Sequence, residues 1–199
     1  MKTKVALITG GYTGEAEISY KSAAFVLSQI DKEVYDVYLI DIQPETWSYT
    51  RQDSQKYEID RQDFSLYIDD EKIKFDIAFI IVHGTPGEDG RLQGYFDMVG
   101  IPYTSCGALT SSLTMNKGYT KAIIQDIDQL NVAQSVLLFD IDRPNAPELV
   151  KGKLSLPLFV KPNAGGSSIG MNKVNTWEEL PKALDDAYDA DGTGNQVLV

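Results

Sequence analysis

The stretch that decides the fold is Val5-Ala-Leu-Ile-Thr-Gly-Gly-Tyr-Thr-Gly-Glu15. Its apolar half is continuous rather than alternating, which is typical of a strand buried on both faces of a parallel sheet. After the glycine-rich turn, apolar residues recur at helical spacing from Ala23 to Ile30, and Ser19 is the predicted cap. Tyr35–Ile42 is predicted to be the second strand. The opening is therefore a strand–helix–strand unit of an α/β fold, with a right-handed crossover.

A second buried strand is predicted at Phe75–Val82, because this segment contains an unbroken apolar run. It ends at His83-Gly-Thr-Pro-Gly-Glu-Asp-Gly90, and a helix is predicted to follow at Leu92–Val99. Residues 43–74 are acidic and the least regular part of the chain. Only a short strand or hairpin near Phe64–Ile68 is predicted there.

The pattern changes near Gly107, so we predict two domains, residues 1–106 and 107–199. The second is predicted to contain a helix at Lys117–Leu130, strands at Val136–Phe139, Leu158–Lys161, Ile169–Val174 and Gln196–Val199, and a helix from a capping box at Thr176–Glu179 to Tyr188. The two middle strands are joined by the glycine-rich hairpin Pro162-Asn-Ala-Gly-Gly-Ser-Ser168.

Charge and composition exclude several classes of protein. The 199 residues include 18 Lys and Arg against 29 Asp and Glu, a net charge of −11, which disfavours nonspecific binding to nucleic acid or an anionic membrane. A single histidine and a single cysteine exclude a Cys/His zinc site and an internal disulfide, and Cys106 is expected to be a small buried residue. The first apolar run is too short for a signal-peptide core, so we expect a cytoplasmic protein.

Two turns in the first half carry groups suited to an amino-acid ligand. The Gly10–Glu15 turn lies at the carboxyl edge of the predicted parallel sheet, where ligands bind, but it lacks the G-x-G-x-x-G dinucleotide spacing. An acid there suits an ammonium group, and a solvated Glu15 on a tight turn is the alternative. His83 follows a buried strand and could donate to a carboxylate, and a structural histidine is the alternative.

One turn in the second half is suited to phosphate. Small residues in Gly165-Gly-Ser-Ser-Ile-Gly170 let backbone amides and hydroxyls close over phosphates, although the motif is not a P-loop. Lys161 precedes this hairpin and Lys117 opens a helix. Each is a candidate phosphate ligand, with a merely solvated lysine as the alternative.

Together these segments resemble the amino-terminal portion of a D-alanine–D-alanine ligase, a member of the ATP-grasp family. The matching stretches, in the family's order, are Gly10–Ser19, His83–Gly94, Gly100–Thr104, Met115–Lys117, Val160–Pro162 and Gly166–Gly170. The resemblance implies a Rossmann-like parallel-sheet (pre-ATP-grasp) domain followed by a smaller α+β ATP-grasp subdomain, with the family's third domain absent.

The activity implied by the resemblance is ATP-dependent ligation of two D-alanines into D-alanyl-D-alanine, through an acyl phosphate, for peptidoglycan precursor synthesis. ATP, D-alanine and Mg²⁺ are the implied ligands. The magnesium carboxylates are expected in the missing third domain, and no metal ligand is expected in this chain. A homodimer through the amino-terminal domain is implied, with no nucleic-acid or membrane partner. We expect the chain to be a fragment that is inactive alone.

The resemblance also assigns roles to residues. Glu15 would hold the ammonium of the first D-alanine, Ser167 would hydrogen-bond Glu15, and His83 would lie beside the reacting end of that D-alanine. The implied ATP-binding residues are Lys117, Lys161, Gly166, Ser167 and Ser168.

Two departures from the family pattern are visible, and two other functions stay open. Asn116 stands where the family usually has Asp and is expected to act as a helix cap, and Gly165 stands where Glu is common. A D-alanine–D-lactate or D-alanine–D-serine ligase is one alternative function. A noncatalytic nucleotide-binding protein on a Rossmann-like sheet is another.

Overall fold

The computed structural model describes residues 2–190 and 196–199, and the chain divides into two compact units, Met1–Ser112 and Leu113–Val199. We call them unit 1 and unit 2. The division lies six residues beyond the predicted boundary of 106/107. Ser112 Oγ donates a hydrogen bond to the Asp89 carbonyl oxygen at 2.7 Å, which ties the first half of the helix Ala108–Met115 to unit 1.

Unit 1 is built on one eight-stranded sheet. Its elements are β1 (Thr3–Gly10), α1 (Ala16–Gln29), β2 (Tyr35–Ile42), β3 (Trp47–Thr50), β4 (Lys56–Asp60), β5 (Ser65–Ile68), β6 (Glu71–Ile73), β7 (Ile77–Ile80), α2 (Arg91–Val99), β8 (Tyr103–Thr104) and the part of α3 (Ala108–Met115) up to Ser112. The strand order is β6-β5-β4-β3-β2-β1-β7-β8.

The parallel half of this sheet confirms the prediction made from the first apolar run. β1 pairs in parallel with β2 on one side and β7 on the other, and β7 pairs in parallel with β8. Residues Val5 to Ile8 of β1 are at most 2% exposed. Continuous burial of a central parallel strand explains why this segment is continuously apolar.

The other half of the sheet differs from the predicted parallel sheet, because β2 to β6 form an antiparallel meander. Residues 43–74 are therefore regular: they contain the four strands β3 to β6, whereas only one short strand or hairpin near Phe64–Ile68 was predicted. Each strand has only three to five residues, too few to show an alternating pattern. The acidic residues form the turns: Asp53 and Asp60 each accept a hydrogen bond from a backbone N–H two residues ahead.

An aromatic cluster joins this meander to α2. The Phe64 ring is fully buried, and its centroid lies 4.9 to 6.0 Å from the centroids of Trp47, Phe75, Tyr95 and Phe96. Aromatic pairs at these distances stabilise a core beyond the burial of their surface.

Unit 2 is a smaller sheet covered by helices. Its elements are α4 (Lys117–Ile124), β9 (Leu137–Phe139), a 3-10 helix (Asp140–Asn145), α5 (Ala146–Lys151), β10 (Leu158–Pro162), β11 (Asn172–Val174), α6 (Leu180–Tyr188) and β12 (Gln196–Leu198). The sheet has the order β11-β10-β12-β9, and each of its pairs is antiparallel.

The helix predicted at Lys117–Leu130 is shorter than expected and ends at Ile124. Residues 125–131 are exposed, including Ile127 and Leu130. A helix of this length is marginal without packing of an apolar face, which explains the early end. Within residues 2–190 and 196–199, no helix has the length and apolar character needed to cross a membrane.

We predict that Phe64→Ala lowers the free energy of unfolding of unit 1 by about 3–5 kcal/mol, because it leaves a cavity among four rings. The measurement is urea unfolding followed by Trp47 fluorescence in a Trp177→Phe background, since the second tryptophan lies in unit 2. Phe25→Ala is the matched control, because Phe25 is 69% exposed, and a change below about 0.5 kcal/mol is expected for it. Equal effects of the two substitutions would contradict the prediction.

Candidate functional site

The turn after β1 is fixed by backbone hydrogen bonds to the two neighbouring chain segments. Gly11 N–H donates to the Ile42 carbonyl oxygen at the end of β2, and Tyr12 N–H donates to the Thr85 carbonyl oxygen, each at 2.9 Å. Gly11 has a φ of 124°, in a region that favours glycine. The turn delivers Glu15 to the N-cap position of α1, immediately before Ala16, where Glu15 is buried.

His83 lies just beyond β7, at the same edge of the sheet. Its backbone N–H donates to Ser19 Oγ at 2.9 Å, and its Nε2 lies 3.1 Å from Ser22 Oγ. Ser19 Oγ donates in turn to the Glu15 carbonyl oxygen at 3.4 Å. Helix α1 therefore holds the histidine through two serines one turn apart.

The predicted role of Ser19 as a cap is wrong. Helix α1 starts at Ala16, with Glu15 in the capping position, and Ser19 is fully buried inside the helix. Ser22 was missed altogether. The sequence does contain a signal, because Glu15, Ser19 and Ser22 are spaced at i, i+4 and i+7 and so share one helix face.

Gly84 brings the loop after β7 against the Glu15 carboxylate. A Cβ atom on Gly84 would lie 2.9 Å from Glu15 Oε2 and 2.8 Å from Thr13 Oγ1, and the φ of Gly84 is +71°. Only a glycine allows this approach without displacing the carboxylate. The structure thus brings Glu15 and His83 together within unit 1.

The acids of the 83–90 loop hold the loop itself. Glu88 Oε2 accepts from the Gly84 backbone N–H at 2.7 Å, and Asp89 Oδ2 accepts from Thr85 Oγ1 at 2.8 Å. The buried Gln93 of α2 donates from Nε2 to the Gly87 carbonyl oxygen at 2.6 Å. These contacts set the shape of the loop that carries Gly84.

Unit 1 therefore presents a buried carboxylate and an imidazole at one sheet edge. A carboxylate accepts hydrogen bonds and attracts an ammonium group, and an imidazole N–H donates to a carboxylate. This pair of groups suits the two charged ends of a small amino acid.

In unit 2, Lys117 lies against the base of the glycine-rich hairpin. Its Nζ donates to the Gly165 carbonyl oxygen at 2.5 Å and to that of Asn163 at 3.4 Å. Asn116 caps α4 by accepting from the Tyr119 N–H at 2.9 Å, which confirms the expected capping role.

Asn163 is a further residue of this region that sequence reasoning missed. It is fully buried, accepts from the Gly118 N–H at 2.7 Å and donates from Nδ2 to Gln196 Oε1 at 2.7 Å. A buried amide with several partners fixes the elements that it joins. Here it joins α4, β12 and the start of the hairpin.

The hairpin itself has an unusual backbone. Ser167 and Ser168 have φ values of 51° and 58°, in the left-handed region, and Gly165 and Gly170 have 137° and 68°. Non-glycine residues in this region cost roughly 1–3 kcal/mol each and cluster at ligand clamps. Two strands flank the hairpin, as predicted, and they pair antiparallel with Leu158 opposite Val174. The second strand starts at Asn172 rather than at the predicted Ile169.

A cavity of about 640 Å³ within unit 2 is lined by Lys117, Lys121 and Lys161. Burial lowers the pKa of Lys121 below its ordinary value, and repulsion from Lys161 lowers it further. Lys121 was not singled out from the sequence, although it lies one helical turn after Lys117 on α4.

Two groups of predicted site residues are thus each assembled within one unit. Glu15 and His83 lie together in unit 1, and Lys117 and Lys161 line one cavity in unit 2. The hairpin residues Gly166, Ser167 and Ser168 belong to unit 2 but are not among the residues that line this cavity. The joint site that the resemblance implies stays a prediction. Cys106 is a correction: its thiol is exposed rather than buried, because it lies in the segment between β8 and α3.

Family models match most of the chain. Residues 4–106 match the model described as D-ala D-ala ligase N-terminus, and residues 125–199 match the one described as D-ala D-ala ligase C-terminus. The chain therefore belongs to the D-alanine–D-alanine ligase family, which confirms the resemblance seen in its motifs.

Individual relatives agree with this assignment. The D-alanine–D-alanine ligase of Phocaeicola vulgatus is 43% identical over 192 residues, which are 95% of this chain and 58% of that protein. The corresponding ligase of Bacteroides fragilis is 42% identical over 188 residues, or 94% of this chain and 57% of that protein. The chain thus spans just under three fifths of the length of these relatives.

Solved structures share the α/β fold. The VanG D-Ala:D-Ser ligase from Enterococcus faecalis matches with a TM-score of 0.85 and 28% identity, over 100% of this chain and 62% of that one. The D-alanyl-alanine synthetase A from Vibrio cholerae matches with a TM-score of 0.83 and 27% identity, over 99% of this chain and 58% of that one.

We predict that Gly84→Ala lowers the free energy of unfolding by about 1–2 kcal/mol. The alanine would have to keep the left-handed backbone conformation of Gly84, and its Cβ would crowd the Glu15 carboxylate. Urea unfolding followed by Trp47 fluorescence measures the change. Gly14→Ala is the matched control in the neighbouring turn, because a Cβ there would meet nothing within 4 Å. If both variants unfold at the wild-type urea concentration, the close approach at Gly84 is not a constraint.

Proposed function

We propose that this chain provides the amino-acid-binding part and the phosphate-binding part of an ATP-dependent ligase that joins two D-alanines for peptidoglycan precursor synthesis. The observation that carries the proposal is the buried Glu15 carboxylate held beside Gly84 and His83, in a chain that belongs to this family. Unit 1 would be the Rossmann-like domain of the family and unit 2 its ATP-grasp subdomain. The remaining two fifths of the relatives' length would supply the third domain.

The residues of unit 1 bind and orient the first D-alanine in this proposal. Glu15 pairs with its ammonium group, and His83 lies beside its carboxylate, with the imidazole held by Ser22. ATP supplies the activation, because transfer of a phosphoryl group makes the carboxylate reactive toward the amine of the second D-alanine. Fixing one end of the amino acid at Glu15 places its other end for that reaction.

The residues of unit 2 fit a polyphosphate. Lys117 and Lys161 line a cavity in which none of the described lining residues is Asp or Glu. Lysine heads attract phosphate oxygens, and the left-handed backbone of the hairpin turns amides toward a bound anion. Gly166, Ser167 and Ser168 of the hairpin would close over the phosphates, and Ser167 would also contact Glu15.

Magnesium has no ligand set among the described residues, where no group of three His, Cys, Asp or Glu side chains could hold a metal ion. We therefore propose that the magnesium carboxylates belong to the remaining part of the family's length. A homodimer through unit 1 and a cytoplasmic location complete the proposal.

A second function is favoured by one observation. The VanG structure, which matches this chain over its whole length, is described as a D-Ala:D-Ser ligase. Both curated relatives above, which are more similar in sequence, are named D-alanine–D-alanine ligases. We therefore propose D-alanine as the second substrate, and product analysis with D-alanine, D-serine and D-lactate decides between them.

The test is a fusion of this chain to the remaining carboxyl-terminal part of the Phocaeicola vulgatus relative. The fusion is expected to release phosphate in a D-alanine-dependent manner and to form the dipeptide, whereas the 199-residue chain alone forms none. Glu15→Gln is expected to lower kcat/KM for D-alanine roughly 10- to 150-fold, because a charge-assisted bond contributes about 1.5–3 kcal/mol.

Glu17→Gln is the matched control, since Glu17 lies in the same first turn of α1 and is exposed. Wild-type kinetics are expected for this control. Wild-type kinetics for Glu15→Gln would remove Glu15 from the site. A fusion that binds ATP without forming any product would favour a noncatalytic nucleotide-binding protein.

A further inference from the structure

Lys121 is a third cationic group in the cavity that Lys117 and Lys161 line. Lys117 and Lys121 are four residues apart on α4, so they lie on the same helix face, and Lys161 comes from β10. Three half-buried lysines therefore face one space of about 640 Å³.

Two of the three lysines, Lys121 and Lys161, have no partner for their ammonium groups in the part of the chain that the structure describes. Neither Lys121 Nζ nor Lys161 Nζ has a hydrogen-bond or ion-pair partner among residues 2–190 and 196–199. The chain carries 29 Asp and Glu residues, yet none of the described residues that line the cavity is acidic. The chain as a whole has an excess of negative charge, so the lack of acidic residues among the described residues of this cavity is a local feature.

The arrangement is unfavourable without a ligand. Burial removes water from the Lys121 ammonium group, and the nearby Lys161 repels it, so the pKa of Lys121 is lowered. A like charge and desolvation both raise the free energy of the charged form. Attraction to an anion with several negative charges would offset both the desolvation cost and the repulsion.

We propose that Lys121 is a further phosphate-binding residue of this cavity, which holds a polyphosphate chain together with Lys117 and Lys161. The inference rests on the proposed function, in which unit 2 binds the phosphates of ATP. It adds a residue that lies one helical turn beyond Lys117 and extends the contact along the phosphate chain.

The experiment measures the affinity of the 199-residue chain for inorganic tripolyphosphate by titration calorimetry. Lys121→Met is expected to weaken binding roughly 10- to 150-fold, as expected for loss of one charge-assisted contact. Lys121→Arg is expected to retain most of the affinity, because it keeps the positive charge. Lys173→Met, on the exposed side of β11, is the control and is expected to leave the affinity unchanged.

A stability measurement separates ligand binding from a structural role. Without tripolyphosphate, the urea midpoint of Lys121→Met is expected to be equal to or above that of the wild type, because a repulsion is removed. A lower midpoint would indicate that Lys121 stabilises the fold instead, and would overturn the inference.

The outcomes also separate this inference from the proposed function. If Lys117→Met weakens binding and Lys121→Met does not, the inference is wrong and the phosphate role of unit 2 stands. If the wild-type chain binds no tripolyphosphate, the inference is wrong, and the fusion protein still tests the ligase function independently. If Lys117→Met, Lys121→Met and Lys161→Met each bind tripolyphosphate with wild-type affinity, the proposed phosphate-binding role of the cavity is wrong.

Discussion

The parallel pairing of β1 with β2 and β7 determines where every candidate side chain of unit 1 lies. Parallel strands end at a common edge, so the turn after β1 and the loop after β7 meet there, and the Tyr12 N–H bonds to the Thr85 carbonyl oxygen. The close approach of Gly84 to Glu15 depends on that meeting. The position of the acid is thus set mainly by backbone contacts, and these require glycine at position 84.

In unit 2, a buried amide side chain rather than strand pairing positions the candidate residues. Asn163 bonds to the start of α4 and to Gln196 of β12, while Lys117 bonds to the carbonyl oxygens at the base of the hairpin. The lysine and the hairpin are therefore positioned by the same few hydrogen bonds. Movement of either would break contacts that hold the other, and this coupling keeps a cationic group at the foot of a glycine-rich segment.

The parts of the molecule that the sequence predicts well are those with long, continuous patterns. The helix at Leu92–Val99 is one residue shorter than α2, and the strand at Phe75–Val82 contains β7. The meander of β3 to β6 was missed because its strands are too short to show periodicity and its turns rely on Asp side chains. Asn163 was missed because it acts through partners distant in sequence, and a single sequence does not record such pairs. Ser22 was missed although it shares a helix face with Glu15 and Ser19, because its partner His83 is also distant in sequence.

The local charges of the two units differ, and each is compatible with the ligand that we propose for it. Unit 1 buries the Glu15 carboxylate at the carboxyl edge of its parallel strands, and a carboxylate there suits an ammonium group. Unit 2 has three lysines around one cavity. At physiological ionic strength the screening length is about 8 Å, so distant carboxylates weaken a phosphate contact far less than adjacent lysines strengthen it. The net charge of −11 therefore does not prevent local binding of a polyphosphate. It disfavours nonspecific binding of nucleic acid and other polyanions, whose charge is spread over a length far greater than that of the cavity.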